Sequence, residues 1–336
     1  ERARGAGERL AGGILRGGPP GSDGIDMLVE YAATPDVFDR TCYDSPEVCK
    51  LHLRNLKKVF LEEALVRDLR DGEWSRYLRS DDRPWHFEAR KLLKALASGK
   101  RLRRFPGLLP VPPETDLVWC EEALASDGRE RLQGIIVGDR LSAEVPGTPR
   151  VVGVSRLEKA GWFREHRASI RLERKAESYR THLRLVLSCA NSLFFIDPHL
   201  HPKKPSYAHV INLLQCTRRP SGRPEIQIHR VSWLETTDRR PLAKEDWEST
   251  FRSEWGARLQ KMGLEVDVFL WDDLHDRYLI SDLLGINLAN GFDVSKGRSK
   301  TTTWHRLDST TRDQIQREVD PSAGEHALYH RFRLPG

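Results

Sequence analysis

His275-Asp276-Arg277-Tyr278-Leu279-Ile280-Ser281-Asp282 has the pattern H-x-[K/R]-x4-D, and Leu274 precedes it. The spacing predicts an imidazole, a fixed cation and a carboxylate around one phosphate group. A histidine can attack phosphorus, and a guanidinium can hold two phosphate oxygens in fork geometry. No other stretch of the chain carries so specific a chemical pattern.

The elements around this stretch alternate between helices and strands. An apolar strand is expected over 264–271, and a hairpin over 279–282 and 286–288 turns near Gly285. Upstream, a buried strand over 192–196 ends in Asp197-Pro198. Further helices are expected over 172–190, 207–216 and 244–262, with a strand over 225–231. This alternation predicts an α/β domain in which helices pack on a mixed sheet.

The segment 274–293 resembles the phospholipase D superfamily, and the resemblance extends over about 155–310. His275, Arg277 and Asp282 match the signature positions, and Ala289-Asn290-Gly291-Phe292-Asp293 stands where a later turn belongs. The nearest likeness is to the phospholipase-D-like domain at the C-terminus of MIT-domain proteins. The fold that the resemblance implies is a phospholipase-D-like mixed sheet flanked by helices.

The resemblance implies a metal-independent phosphodiesterase that acts through a phosphohistidine. His275 would be the nucleophile or the acid/base, Arg277 would clamp phosphate oxygens, and Asp282 would orient an imidazole. Two departures stand out: Arg277 replaces the usual lysine, and the chain has one motif where the chemistry needs two histidines. A homodimer with two copies of His275 face to face would supply the second.

Other polar residues follow the strand over 192–196, where sites of α/β proteins gather. Asp197, His199, His201 and Lys203 are candidate substrate-binding residues, as is Asn290 in the later turn. Asp197-Pro198 is also typical of a turn or helix entry, and Lys203 of a solvated loop. His199 and His201 could alternatively bind a metal, although no acidic or cysteine partner accompanies them; no metal or cofactor is expected.

Composition limits the class of protein. Of the 336 residues, 38% are hydrophobic and 31% charged, and the net charge of +6 with a pI near 9.1 suits a polyanionic partner. That partner would be nucleic acid or an acidic lipid surface. Five scattered cysteines without a C-x-x-C pair indicate reduced thiols of a cytoplasmic protein.

The chain divides into three parts by sequence. Residues 1–26 are expected to be a flexible leader, 27–150 a mainly helical N-terminal domain, and 151–336 the phospholipase-D-like domain. The Pro- and Gly-bearing stretch 143–150 marks the boundary. Within the N-terminal domain, helices are expected over 49–70, 85–98 and 115–126, and a strand over 132–137.

The function predicted from sequence is a nuclease of this phosphodiesterase type, in bacterial defence or DNA processing. The alternatives are an inactive module of the same fold that binds nucleic acid or acidic lipid, and a scaffold subunit of a larger assembly with other proteins. Solubility, basic charge and the absence of an amphipathic membrane anchor favour the nuclease over a lipase.

Overall fold

The computed structural model describes residues 26–166, 168–220, 222–234, 240–294 and 301–335. Each of its two α/β units is built on one sheet. All but the last residue of the predicted leader, 1–26, lies outside the described residues. Within the described part of the chain, no helix combines the length and apolar character needed to cross a bilayer.

The first unit is a five-stranded parallel sheet in the order β3-β2-β1-β4-β5, with helices between its strands. Its strands are β1 (Val29–Ala33), β2 (Ala64–Asp68), β3 (Leu102–Arg104), β4 (Gly134–Val137) and β5 (Val151–Gly153). Its helices are α1 (Pro46–Glu62), α2 (Leu69–Tyr77), α3 (Phe87–Ser98), α4 (Asp116–Arg129), α5 (Asp139–Glu144) and α6 (Gly161–Glu165).

The prediction of a mainly helical first unit is wrong, because a parallel sheet forms its centre. The expected helix over 49–70 ends at Glu62, and the residues that continue its apolar pattern form β2. A strand that is buried on both faces has no alternation of apolar and polar residues to distinguish it. In addition, β1 and β2 carry the buried charges Glu30 and Arg67, which pair at 2.6 Å.

The predicted boundary at residue 150 is also wrong. Strand β5 pairs with β4 in parallel, so the first sheet extends through Gly153. The second sheet begins with β6 (Ser169–Glu173). The Pro- and Gly-bearing stretch 143–150 is therefore a connection within the first unit.

The second unit is an eight-stranded mixed sheet in the order β13-β9-β8-β7-β10-β11-β12-β6. After β6 its elements are α7 (Ala176–Cys189), β7 (Ser192–Ile196), α8 (Val210–Gln215), β8 (Glu225–Val231), α9 (Lys244–Phe251), α10 (Ala257–Met262), β9 (Val266–Trp271), β10 (Tyr278–Ser281), β11 (Gly285–Leu288), β12 (Thr301–Leu307), α11 (Ser309–Glu318) and β13 (Leu328–Leu334). Strands β7, β8 and β9 are parallel and central, whereas the flanking strands pair antiparallel.

The sequence prediction for this unit is confirmed as an α/β arrangement with helices on a mixed sheet. The hairpin of β10 and β11 is antiparallel, and Gly285 is the first residue of its second strand. The expected helix over 244–262 is present, with a π turn at Arg252–Gly256, and Gly263 ends it in a left-handed conformation at φ 67°. The helix expected over 172–190 starts only at Ala176, because β6 precedes it.

The two units share apolar packing. Met27, Leu28 and Leu65 of the first unit belong to the hydrophobic cluster of the second unit. The backbone N–H of Met27 donates to the carbonyl of His182 at 3.2 Å, and Arg184 pairs with Glu130 at 2.9 Å. The start of the first sheet is thus part of the second unit's core.

Candidate active site

The candidate site lies at the edge of the second sheet where three parallel strands end. Asp197 follows β7, Ser232 follows β8 and Asp272 follows β9. The backbone N–H of Ser232 donates to the carbonyl of Trp271, which holds the last two strand ends together. The carboxyl ends of parallel strands are where α/β folds place their ligands.

Asp197 is the buried centre of this edge, with no exposed surface. Its carboxylate accepts hydrogen bonds from the backbone N–H groups of Phe292 at 2.9 Å and His199 at 3.0 Å. The Tyr207 hydroxyl donates to it at 3.4 Å. Burial raises the pKa of Asp197, while these donors and Arg277 oppose that rise. Asp197 therefore fixes the chain around the edge, and solvent does not reach it.

Arg277 lies beside Asp197 because β10 pairs antiparallel with β7, with Tyr278 opposite Ile196. The Arg277 Nε is 3.9 Å from the Asp197 carboxylate, and 29% of the arginine side chain is exposed. A guanidinium anchored on one side in this way keeps its other N–H groups for a ligand.

Gly291 closes the edge from the turn after β11. Its φ of +66° is one that side-chain-bearing residues rarely adopt. A Cβ at this position would meet the Asp197 carboxylate and lie 2.9 Å from the Cδ of Arg277. The glycine is therefore required both by the backbone conformation and by the close approach of the Asp197–Arg277 pair.

His275 and Asn290 are exposed at the same edge. His275 lies in the connection between β9 and β10, and Asn290 directly precedes Gly291. The turn is tied to the motif, since the backbone N–H of Leu288 donates to the carbonyl of Arg277 at 2.9 Å. No hydrogen bond or ion pair to another described residue involves the His275 ring. The structure thus places Asp197, His275, Arg277 and Asn290 on segments at one edge of the sheet, and we call this group the His275 edge.

Asp282 lies at the opposite end of β10, so the prediction that it orients an imidazole is wrong. Five residues separate it from Arg277, which in a strand corresponds to roughly 16 Å. Its carboxylate accepts from the backbone N–H and the side-chain amide of Asn191, each at 2.8 Å. Lys100 of the first unit lies 3.9 Å away. Asp282 holds the start of β7 and has a structural role.

The loop after Asp197 divides the remaining candidates. His199 is half-buried, and its ring centroid is 6.1 Å from that of Trp233. His201 packs on Trp247 at 5.3 Å and accepts a hydrogen bond from the backbone N–H of Lys203 through Nδ1. Burial, helped by neighbouring cations, lowers the pKa of His201 to about 4, so the ring is neutral at pH 7.

This geometry favours a packing role for His201 over a substrate contact. Lys203 is exposed in the same loop, as expected for a solvated residue. The alternative of a metal site gains no support here: among the described residues, no three His, Cys, Asp or Glu side chains are arranged to hold a metal ion.

The sequence did not identify three further residues whose contacts support the His275 edge. Tyr207 reaches the Asp197 carboxylate, Tyr179 donates to the Asp293 carbonyl at 2.9 Å, and Arg174 pairs with the Asp293 carboxylate. Only Asp293 had a usable signal, because it closes the turn segment that begins at Ala289. The others come from a helix and a loop whose approach to the edge has no local pattern.

His229 is a further histidine near this edge, but it belongs to the core. It is fully buried, stacks on Phe269 with ring centroids 4.7 Å apart, and accepts from the Trp271 indole N–H at 3.2 Å. Burial lowers the pKa of His229 to about 3. A neutral, enclosed imidazole of this kind cannot reach a substrate.

Comparison with known proteins gives no family assignment. No protein-family profile and no curated protein matches the chain. Among solved structures, an archaeal chromatin protein, TrmBL2, described as showing a novel mode of DNA binding, is similar at 13% identity and a TM-score of 0.29, over 71% of this chain and 82% of that one. Polyphosphate kinase from Porphyromonas gingivalis is similar at 10% identity and a TM-score of 0.31. The match covers 71% of this chain and only 35% of the kinase.

Proposed function

We propose that the second unit is a phospholipase-D-like, metal-independent phosphodiesterase that acts on nucleic acid at the His275 edge. The observation that supports this most is the pairing of an exposed imidazole, His275, with an anchored guanidinium, Arg277, where parallel strands end. An imidazole and a guanidinium together suit a ligand that carries negative charge on several oxygens. A phosphodiester is such a ligand, and the basic balance of the chain favours a polyanionic one.

In the proposed reaction, a ring nitrogen of His275 forms a bond to phosphorus while one P–O ester bond breaks. Arg277 holds the non-bridging oxygens as charge develops on them. The leaving alkoxide takes up a proton, and water then cleaves the P–N bond to restore the imidazole and release a phosphate monoester. Asn290, which is exposed in the turn after β11, is proposed to contact the same phosphate.

The leaving oxygen needs a proton donor, and one motif provides one imidazole. We propose that a second copy of the chain, related by a two-fold axis, supplies its own His275 as that donor. The exposed position of His275 is compatible with this arrangement. A monomeric protein that is fully active at the lowest concentrations would contradict the dimer.

The test is cleavage of single- and double-stranded DNA and of RNA in excess EDTA, with His275→Ala and the matched control His52→Ala. His52 is a histidine of the first unit that stacks on Tyr43, away from the edge. We expect the control to cleave like the wild type and His275→Ala to lose at least a hundredfold in rate. Equal rates for the wild type and His275→Ala, or equal absence of cleavage, would reject catalysis by His275.

Binding without turnover is the second candidate, and the position of Asp282 favours it. The carboxylate that should assist catalysis is engaged with Asn191, and Arg277 is partly neutralised by Asp197. Fluorescence anisotropy with a labelled oligonucleotide would then show affinity that weakens steeply with salt and falls in Arg277→Gln. Flotation with vesicles that contain an acidic lipid tests the membrane alternative. In that case the protein binds the vesicles and does not bind the oligonucleotide.

A further inference from the structure

A second basic site lies between the two units, at the other end of the β10–β11 hairpin from His275. It is a cavity of about 360 Å3 formed by the end of α1, the residues before β3, the hairpin turn, and the junction of β12 with α11. We call it the inter-unit pocket. Its charged lining residues are Lys58, Glu62, Glu63, Arg101, Arg306, Asp308 and Arg312.

Arg101 is the residue that makes this pocket unusual. Only 4% of it is exposed, and its guanidinium donates to two backbone carbonyls, those of Ala64 at 3.2 Å and of Leu283. No carboxylate of the described residues lies within ion-pair distance of it. A buried cation without a counter-ion is costly, so side chains of this kind are normally paired.

The neighbouring charges do not compensate Arg101. Burial, followed by the charges of Arg312 and Arg306, lowers the pKa of Arg101 to about 10, and Asp282 opposes them only in part. Two guanidiniums are thus close enough to repel a third. Such a group is stabilised by an anion that contacts more than one of its members.

The acidic residues of the pocket are mostly engaged elsewhere. Glu63 pairs with Arg306 at 3.1 Å and with His166 at 3.4 Å. Asp308 caps α11, where it accepts from the backbone N–H of Thr311 at 2.9 Å. Glu62 is exposed. Arg312 pairs with Asp313 outside the pocket, and its side chain is 19% exposed. Of the cations that line the pocket, Arg101 and Lys58 have no ion-pair partner among the described residues, and Arg312 pairs with an exposed carboxylate.

We propose that the inter-unit pocket binds the phosphate group of a small molecule of mononucleotide size, held by Arg101 and Arg312. The volume falls in the range of small-molecule sites, roughly 300–1,000 Å3, and a planar guanidinium matches phosphate geometry. The ligand contacts both units, since Arg101 and Lys58 belong to the first and Arg312 to the second. Binding therefore stabilises their mutual packing.

The experiment measures binding of inorganic phosphate, of AMP and of adenosine to the full chain by calorimetry and thermal melting. We expect AMP to bind and raise the melting temperature, and adenosine to do neither. If inorganic phosphate binds with the same affinity as AMP, the free anion is the ligand and the assignment of the site stands. Binding by adenosine comparable to that of AMP, or no binding of AMP or phosphate at millimolar concentration, would overturn the proposal.

The variants Arg101→Gln and Arg312→Gln assign any binding to the pocket. We expect each to weaken AMP or phosphate binding at least tenfold. Arg140→Gln is the matched control, because that arginine is 94% exposed on α5. If Arg101→Gln fails to fold, as circular dichroism would show, the less deeply buried Arg312 still provides the test. Unchanged affinity in Arg312→Gln would refute the site.

The proposals for the inter-unit pocket and for the His275 edge can be refuted independently of each other. His275→Ala is expected to bind AMP with wild-type affinity and the wild-type rise in melting temperature. Loss of AMP binding in His275→Ala would show that AMP binds at the His275 edge and would reject the inter-unit pocket as its site.

Discussion

Replacing Asp282 separates the role that the sequence motif implies from the role that the structure gives it. If Asp282 orients a catalytic imidazole, its loss abolishes function in a protein of unchanged stability. In the structure, Asp282 accepts from the backbone N–H and the side-chain amide of Asn191, at the far end of β10 from His275. We therefore expect Asp282→Ala to lose stability and to keep the chemistry of the His275 edge.

The size of the loss follows from these contacts. Asp282 makes two hydrogen bonds at 2.8 Å and a longer one of 3.4 Å to the N–H of Ser192, and 24% of its side chain is exposed. A hydrogen bond to a charged group contributes about 1.5–3 kcal/mol, and partial exposure places these bonds at or below the lower end. The free energy of unfolding should fall by about 2–3 kcal/mol, which for a chain of 336 residues corresponds to a drop in melting temperature of about 3–4 °C.

Thermal melting by circular dichroism measures the stability, and oligonucleotide anisotropy well below the melting temperature measures function. We expect Asp282→Ala to bind within about twofold of the wild type, and Asp282→Asn to lose less stability, because it keeps one acceptor for the Asn191 N–H. An unchanged melting temperature together with a tenfold or greater loss of binding or cleavage would refute the structural role.

Two further predictions concern a buried ring and a glycine. His229→Phe removes an imidazole whose pKa in the folded state is about 3. In the wild type the unfolded chain alone takes up this proton as the pH falls below about 6.5, so stability is lost toward acid; by pH 4.5 the loss is about 2.7 kcal/mol. Urea unfolding at pH 8 and pH 4.5 should show the wild type losing that much more than the variant, and equal losses would contradict burial of a neutral ring. Gly291→Ala should cost about 1–2 kcal/mol for its left-handed backbone and also displace Arg277, with weaker oligonucleotide binding. Gly222→Ala, at φ +74° in open space, should show only the backbone cost, and equal binding by both variants would argue against the steric role of Gly291.

The second unit could be predicted from sequence because its elements have distinct local patterns. The hairpin of β10 and β11, the strand before Asp197 and the long helix ending at Gly263 each combine apolar periodicity with a stop signal. The first unit could not, because β2 follows α1 after a single residue and is buried on both faces. Its charged residues pair inside the core, as Arg67 does with Glu30, and so conceal the strands.

The sequence motif names residues of the candidate site but does not give their arrangement in space. In the structure His275 and Arg277 precede β10, and Asp197 follows the neighbouring strand β7. The spacing alone does not show that Asp282 lies at the other end of the strand from Arg277. Five residues separate the two side chains by roughly 16 Å only where the backbone between them is extended. In the inter-unit pocket, Arg101 belongs to the first unit whereas Arg306 and Arg312 belong to the second, and only the packing of the units brings Arg101 beside them.

The shared packing between the units has a practical consequence for anyone dividing this chain. Met27 and Leu28 start the first sheet but fill the second unit's core, and Leu65 joins them there. A fragment cut between the two sheets would expose that apolar surface and be prone to aggregate. The intact chain should melt in one calorimetric transition, because neither half can lose its structure without opening the core of the other.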